Sequence, residues 1–195
     1  PSFETPQAWN HPTVLEEPYR PMVCVGVKAA KAYANWLSEA TGKDYSLPTQ
    51  SQWRYVASGG EKSRYYFGED ESSSDVCKYE NLEDYANIVG LLRDHNERYD
   101  QSVNCNDGAV YHTVVGMYRP NGFGVHDILG NVAEILDECA VYDSKDAQVC
   151  TYYAVGGEGW HWQPRKLNSQ RLVGADFYGS IEGFRLVLNS SNLAL

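Results

Sequence analysis

Gly122-Phe123-Gly124-Val125-His126-Asp127-Ile128-Leu129-Gly130-Asn131-Val132-Ala133-Glu134 gathers glycines, apolar residues, an amide and two carboxylates into one short stretch. Glycine releases the backbone from ordinary φ/ψ limits, so carbonyls can turn inward. Asp127 and Glu134 add hard, anionic oxygens. Calcium takes about six to eight oxygen ligands, carbonyls among them, and this stretch suits it. The same residues also describe a glycine-rich turn with an exposed acid at each end. Spacing alone leaves both readings open.

Around this stretch lie 195 residues, enough for one domain with a buried core. The sequence begins at Pro1 without a methionine and reads as a processed or excised piece. No apolar run is long enough to span a bilayer and no signal-peptide pattern is present, so a signal or anchor would lie outside these residues. The formal net charge is −10, and residues 61–110 hold twelve acids against five bases. Such a surface repels phosphate backbones and attracts cations, which argues against nucleic acid as a partner. Most of these acids read as a solvated surface. Fifteen tyrosines exceed what a core of this size requires, and tyrosine is favoured at recognition surfaces.

Five cysteines are present and none forms a Cys-x-x-Cys zinc pair. Cys139 and Cys150 flank a polar loop that a disulfide would close, and Cys77 with Cys105 is a second candidate bridge. Cys24 lies in an apolar run and reads as a buried thiol. Bridges would place the chain in an oxidising, extracytoplasmic compartment (periplasmic, surface or secreted); five free thiols in a cytosolic protein are the alternative.

Ala30, Tyr33, Ala34, Leu37 and Ala40 recur at helical steps, predicting a helix over 27–40 that Gly42 ends. Thr49 starts a second helix with Gln52 in a capping box; Trp53, Val56 and Ala57 form its apolar face, and Gly59-Gly60 stops it. Periodicity then fades through 61–120. Short strands are expected near 152–157 and 183–188. The pattern predicts an α+β domain with two early helices, brief strands and long loops pinned by metals or disulfides. No internal repeat is visible, so residues 1–195 read as one domain.

Five landmarks then line up in order: Ala29-x-x-x-Tyr33-Ala34-x-Trp36-Leu37; Thr41-Gly42-Lys43-x-Tyr45-x-Leu47-Pro48-Thr49-x-x-x-Trp53; Pro120-Asn121-Gly122-Phe123-Gly124-Val125-x-Asp127-x-x-Gly130-Asn131-Val132-x-Glu134; Gly156-Gly157; and Gly183-Phe184-Arg185-Leu186. Together they resemble the domain of formylglycine-generating enzymes, also called sulfatase-modifying factors, from about Pro21 to Val187. The resemblance implies an irregular C-type-lectin-like fold and two structural calcium ions. On it, one ion falls to Asn87, Ile88, Asp107 and the carbonyl of Ala109. The other falls to Asp127 and Glu134 by side chain, with the carbonyls of Gly130 and Val132.

The enzymes resemble one another in two cysteines, five residues apart, whose thiolates hold copper. Here the segment reads Gly156-Gly157-Glu158-Gly159-Trp160-His161-Trp162-Gln163-Pro164-Arg165-Lys166, and the matching positions carry His161 and Lys166. Lysine is a cation at neutral pH and a poor copper ligand. The expectation is a chain with no catalytic residues of that kind, which does not make formylglycine. An iron-dependent branch of the family needs three histidines. His11, His95, His112, His126 and His161 show no pair spaced as two ligands on one helix face. No Gly-x-Ser-x-Gly elbow, phosphate loop or His-Glu-x-x-His motif is present.

Residues 158–182 concentrate side chains that dominate binding hot spots. The candidate ligand-binding residues are Trp160, His161, Trp162, Arg165, Asn168, Arg171, Asp176 and Tyr178. One of Trp160 and Trp162 is expected to support the core rather than the ligand face. A further family branch, of binding proteins diversified by retroelements, is similar in lacking the catalytic cysteines. The leading expectation is therefore a calcium-stabilised, non-catalytic recognition module for a protein, small-molecule or glycan ligand, with no membrane insertion. An enzyme with altered chemistry around His161, or a regulatory scaffold domain of a larger protein, are the alternatives.

Overall fold

The computed structural model describes residues 18–69, 74–98, 102–164, 166–167 and 171–189. Helix α1 spans Val27–Thr41 and ends where Gly42 turns left-handed at φ 68°. Strand β1 is Asp44–Ser46. Helix α2, Gln50–Ser58, opens on the expected box: Gln52 N–H donates to Thr49 Oγ1, and Thr49 N–H donates to Gln52 Oε1. These boundaries match the periodicity and caps in the sequence.

Two elements carry no such signature. Helix α3, Tyr85–His95, lies inside the stretch expected to be loop. Asp84 caps it by accepting from Asn87 N–H, and Asn96 at φ 57° takes the role glycine usually fills at the other end. Strand β2, Ala133–Tyr142, grows directly out of the glycine-rich loop. Its first four residues are all buried, so no alternation marks it. β3 is Cys150–Gly156, β4 Arg171–Gly174, β5 Glu182–Gly183 and β6 Val187–Asn189. The single strand expected over 183–188 is thus two short ones in different sheets.

The main sheet runs β4-β3-β2-β5, antiparallel except for the β2/β5 pair, where Ala133 faces Glu182 and Glu134 faces Gly183. A second, two-stranded sheet pairs β1, just after α1, with β6 at the C-terminal end of the described chain. α1 contributes Val27 and Ala30 to a core with Ala133, Ile135, Val155 and Val173 of the sheet. α2 contributes Trp53 and Ala57 to a second core with Tyr65, Tyr66, Ile128, Leu129 and Leu136. A Cβ on Gly156 would meet the Trp53 ring at 2.3 Å, so the indole lies on bare backbone there. Disulfides Cys77–Cys105 and Cys139–Cys150 both form, and Cys24 keeps a buried thiol. The bridges point to an oxidising, extracytoplasmic environment. No helix among the described residues is long and apolar enough to cross a membrane.

Candidate functional site

The loop that opens the sequence reading wraps around Glu134, which is 3% exposed. Its Oε2 accepts from Trp53 Nε1 at 2.7 Å, and its Oε1 accepts from Arg185 Nε at 2.7 Å. Arg185 also donates to the carbonyls of His126 (3.0 Å) and Asp127 (3.4 Å). One carboxylate therefore ties α2, the loop and the Gly-Phe-Arg segment together. Asp127 sits at φ 54°; its Oδ2 accepts from Gly116 N–H at 2.6 Å, and burial pushes its carboxyl above the usual range. Its Oδ1 is buried without a hydrogen-bond partner. Asp127, Val132, Glu134 and Arg185 line one cleft of about 510 Å³. Gly130 packs against Glu80 and the Asn81 carbonyl instead.

A second polar cradle forms at the start of α3. The carboxylate of Asp84 bridges it, accepting from Asn87 N–H at 3.0 Å and from Asp107 N–H at 2.6 Å. Asp107 accepts from Ala109 N–H (2.7 Å) and from the Tyr118 hydroxyl (2.7 Å). Burial, with the charge of Asp84 alongside, pushes the Asp107 carboxyl up to about 6. Asn87 is fully buried and donates Nδ2 to the Val110 carbonyl at 2.7 Å, which fixes the amide so that Oδ1 is the atom left without a partner. Ile88 lies within α3, so its carbonyl runs along a helix axis and not in an open loop.

These observations test the expected calcium ligands. Buried polar atoms ordinarily find partners, and Asn87 Oδ1 and Asp127 Oδ1 are oxygens without them. The buried Asp84 and the half-buried Asp107 beside Asn87 form the hard, anionic donor set that calcium prefers. The cradle at the start of α3 fits such an ion. The Gly-rich loop fits through Asp127, whereas both oxygens of Glu134 are already engaged and Arg185 supplies a positive charge at the same loop.

Residues 158–162 are stitched onto the same loop. Glu158 N–H donates to Leu129, Trp160 N–H to Asn131, and Glu83 N–H to the Trp162 carbonyl. Trp160 is 1% exposed and packs on Leu91, Tyr111 and Ile181, and His161 is 2% exposed. Neither presents itself to a ligand at the surface, because the turn that carries them faces inward. Burial holds His161 well below the ordinary histidine range, down to about 4, with the Arg171 charge adding to it. Trp162, Phe177 and Tyr178 are exposed, and Asp176 pairs at the surface with Lys28 at 3.0 Å. Arg171 is partly buried and donates to Glu182 Oε1 at 2.5 Å. Arg165 and Asn168 lie outside the described residues.

Sequence reasoning missed the acids beneath the loop. Glu80 and Asp84 are fully buried and Glu83 nearly so, although the run Glu80-Asn81-Leu82-Glu83-Asp84 reads as solvated surface. Glu80 Oε1 accepts from Leu129 N–H and from the Tyr66 hydroxyl, both at 2.9 Å, and burial pushes its carboxyl up to about 8. The signal was available only in Asp84, a plausible cap three residues before Asn87.

Comparison with known proteins follows the same lines. The family model described as Sulfatase-modifying factor enzyme 1-like domain matches residues 3–190. A formylglycine-generating enzyme of Mycobacterium tuberculosis is 31% identical over 134 residues, which are 65% of this chain and 38% of that protein. The chain thus spans well under half the length of that relative. The structure of PvdO from Pseudomonas aeruginosa is similar with a TM-score of 0.67 and 26% identity, over 87% of this chain and 62% of that one. Treponema denticola variable protein 1 shares the fold with a TM-score of 0.65 and 16% identity, over 86% of this chain and 70% of its own.

Proposed function

Because the chain belongs to the Sulfatase-modifying factor enzyme 1-like domain family, we propose that it is a calcium-stabilised recognition module that binds its ligand through residues 158–182 and does not make formylglycine. The observation that carries this reading is the pairing of a fixed backbone with exposed side chains. The 158–162 turn is hydrogen-bonded to the buried loop, while Trp162, Phe177 and Tyr178 remain 46%, 42% and 44% exposed. Rigid aromatics on a pre-ordered backbone lose little entropy on binding, which favours affinity.

The chemistry of the segment supports the non-catalytic half. On the family resemblance, the copper thiolate positions hold a buried His161 and an exposed Lys166. Four of the five cysteines are spent in disulfides, and Cys24 sits apart, hydrogen-bonded through its backbone to Gly179. Calcium, where bound, would supply a divalent charge that holds loops rather than a reacting centre. Asn87, Asp107 and Asp127 would take it through their side-chain oxygens, with Asp84 adjacent. A periplasmic, surface or secreted location is consistent with the bridges.

The experiment screens the protein against a glycan array and a panel of extracellular proteins, beside a Trp162→Ala/Tyr178→Ala double variant. The expected result is a ligand held by the native protein and lost by the variant at an unchanged melting temperature. Aldehyde formation on a cysteine peptide in the presence of copper, or undiminished capture by the double variant, would overturn the reading.

A further inference from the structure

Where β4, which among the described residues pairs with β3 alone, meets the segment 177–182, a cleft of about 300 Å³ opens. Arg171, Val173, Phe177, Gly179, Ile181 and Glu182 line it. Glu182 is 1% exposed, and only one of its oxygens is satisfied. Oε1 accepts from Arg171 Nη2, while Oε2 is buried with no hydrogen-bond partner. The same guanidinium also faces Glu158, with Nη1 3.8 Å from Oε2, too long for a hydrogen bond. The open oxygen of Glu182 lies toward Gly179: a Cβ built there would stand 2.8 Å from it and 3.0 Å from the edge of the Phe177 ring. Glycine at 179 lets the carboxylate oxygen and the Phe177 ring lie close against bare backbone at the edge of the cleft.

We propose that this cleft binds a primary alkylammonium group, with the ammonium on Glu182 Oε2 and the alkyl stem along Phe177, Val173 and Ile181. The inference rests on the recognition reading above and gives its ligand a chemical class. A buried carboxylate oxygen without a donor is costly, and a charged donor relieves it most strongly. An anion is disfavoured beside two buried carboxylates, Glu158 and Glu182. A guanidinium ligand engages a carboxylate through both oxygens, and Arg171 already holds one. An ammonium is a compact point charge that needs only one. The chain's net charge of −10 steers cations toward it. A lysine side chain of a protein partner and a free alkylamine share this chemistry.

The test titrates n-butylammonium, n-butylguanidinium and neutral n-butyramide at pH 7, following backbone amides of residues 171–182 by NMR. Nα-acetyl-lysine methylamide forms the arm that separates a lysine side chain from a free amine by its tighter binding. Saturable shifts are expected with the two ammonium probes and not with the amide, and the guanidinium should bind more weakly. Glu182→Gln keeps the shape and should weaken ammonium binding at least about tenfold. Gly179→Ala places a methyl group against Glu182 Oε2 and the Phe177 ring, where the ammonium would sit, and should abolish binding while the amide spectrum of the protein outside residues 171–182 stays native. Equal binding of butyramide, or undiminished ammonium binding in the Gly179→Ala protein, overturns the proposal. So does the absence of saturable ammonium binding. None of these outcomes bears on Trp162 or Tyr178, so the surface reading stands or falls by its own experiment.

Discussion

At the scale of single residues, the decisive feature is a set of carboxylates taken out of water and answered one hydrogen bond at a time. Glu134 is answered by Trp53 and Arg185, Glu80 by Leu129 and Tyr66, and Asp84 by two backbone N–H groups. Asp127 and Glu134 stood out in sequence because they bracket Gly130 in a glycine-rich stretch. Glu80 and Asp84 were not, because burial of an acid depends on donors from distant segments that no local pattern reveals. His161 carries the same lesson with opposite charge. Its folded value of about 4 lies below the ordinary 6.5. Between these values the unfolded chain binds the proton and the folded chain does not. The stabilisation is complete above about pH 6.5 and is lost as pH falls toward 4. His161→Gln removes this dependence. In denaturant melts, the stability of the native protein relative to this variant should fall by roughly 3 kcal/mol between pH 7.5 and pH 4. A constant difference across that range would show that His161 is not held neutral by its surroundings.

At the scale of elements, legibility follows from how local the cause is. α1 and α2 were readable because periodicity and caps lie within the elements themselves. α3 was not, since its caps are an aspartate and a left-handed asparagine within an acidic stretch. β2 was hidden because its buried end shows both faces to the core. The local causes are measurable. Thr49→Ala removes the hydroxyl of the capping box and should cost about 1 kcal/mol, read as a shifted denaturation midpoint at constant slope. The disulfides act between elements. Cys77–Cys105 closes a separation of 28 residues and Cys139–Cys150 one of 11. Loop-closure entropy makes the longer bridge worth roughly 1 kcal/mol more. It also encloses α3 and packs against Val76, Leu82 and Val103. The Cys77→Ser/Cys105→Ser protein should therefore melt below the Cys139→Ser/Cys150→Ser protein. The reverse order would mean that the enclosed segment holds itself without the bridge.

At the scale of the whole molecule, short strands and helices leave much of the fold to loops whose stability has to come from elsewhere. The β1/β6 pair fastens the C-terminal end of the described chain to the segment between α1 and α2, and the disulfides fasten two loops. The loops around 107–110 and 116–131 meet Asn87 and Asp127, where buried oxygens lack partners. Each such oxygen costs about 1–3 kcal/mol when left unanswered. A calcium ion bound only by the folded state would answer them, and the resulting stabilisation is about 2.7 kcal/mol at a hundredfold excess over Kd. For a chain of this size, 1 kcal/mol moves the melting temperature by about 2–4 °C, so excess chelator should lower it by roughly 5–10 °C. Restored calcium should reverse the shift. Magnesium should not, because it demands a tighter octahedral shell than a cradle built from amide, carboxylate and backbone oxygens provides. Asp107→Asn separates the two cradles: it should shrink the chelator response without abolishing it, leaving the part owed to Asp127. An identical transition with and without chelator, in protein prepared with calcium, would mean that these loops are held by hydrogen bonds alone and that no ion belongs in either cradle.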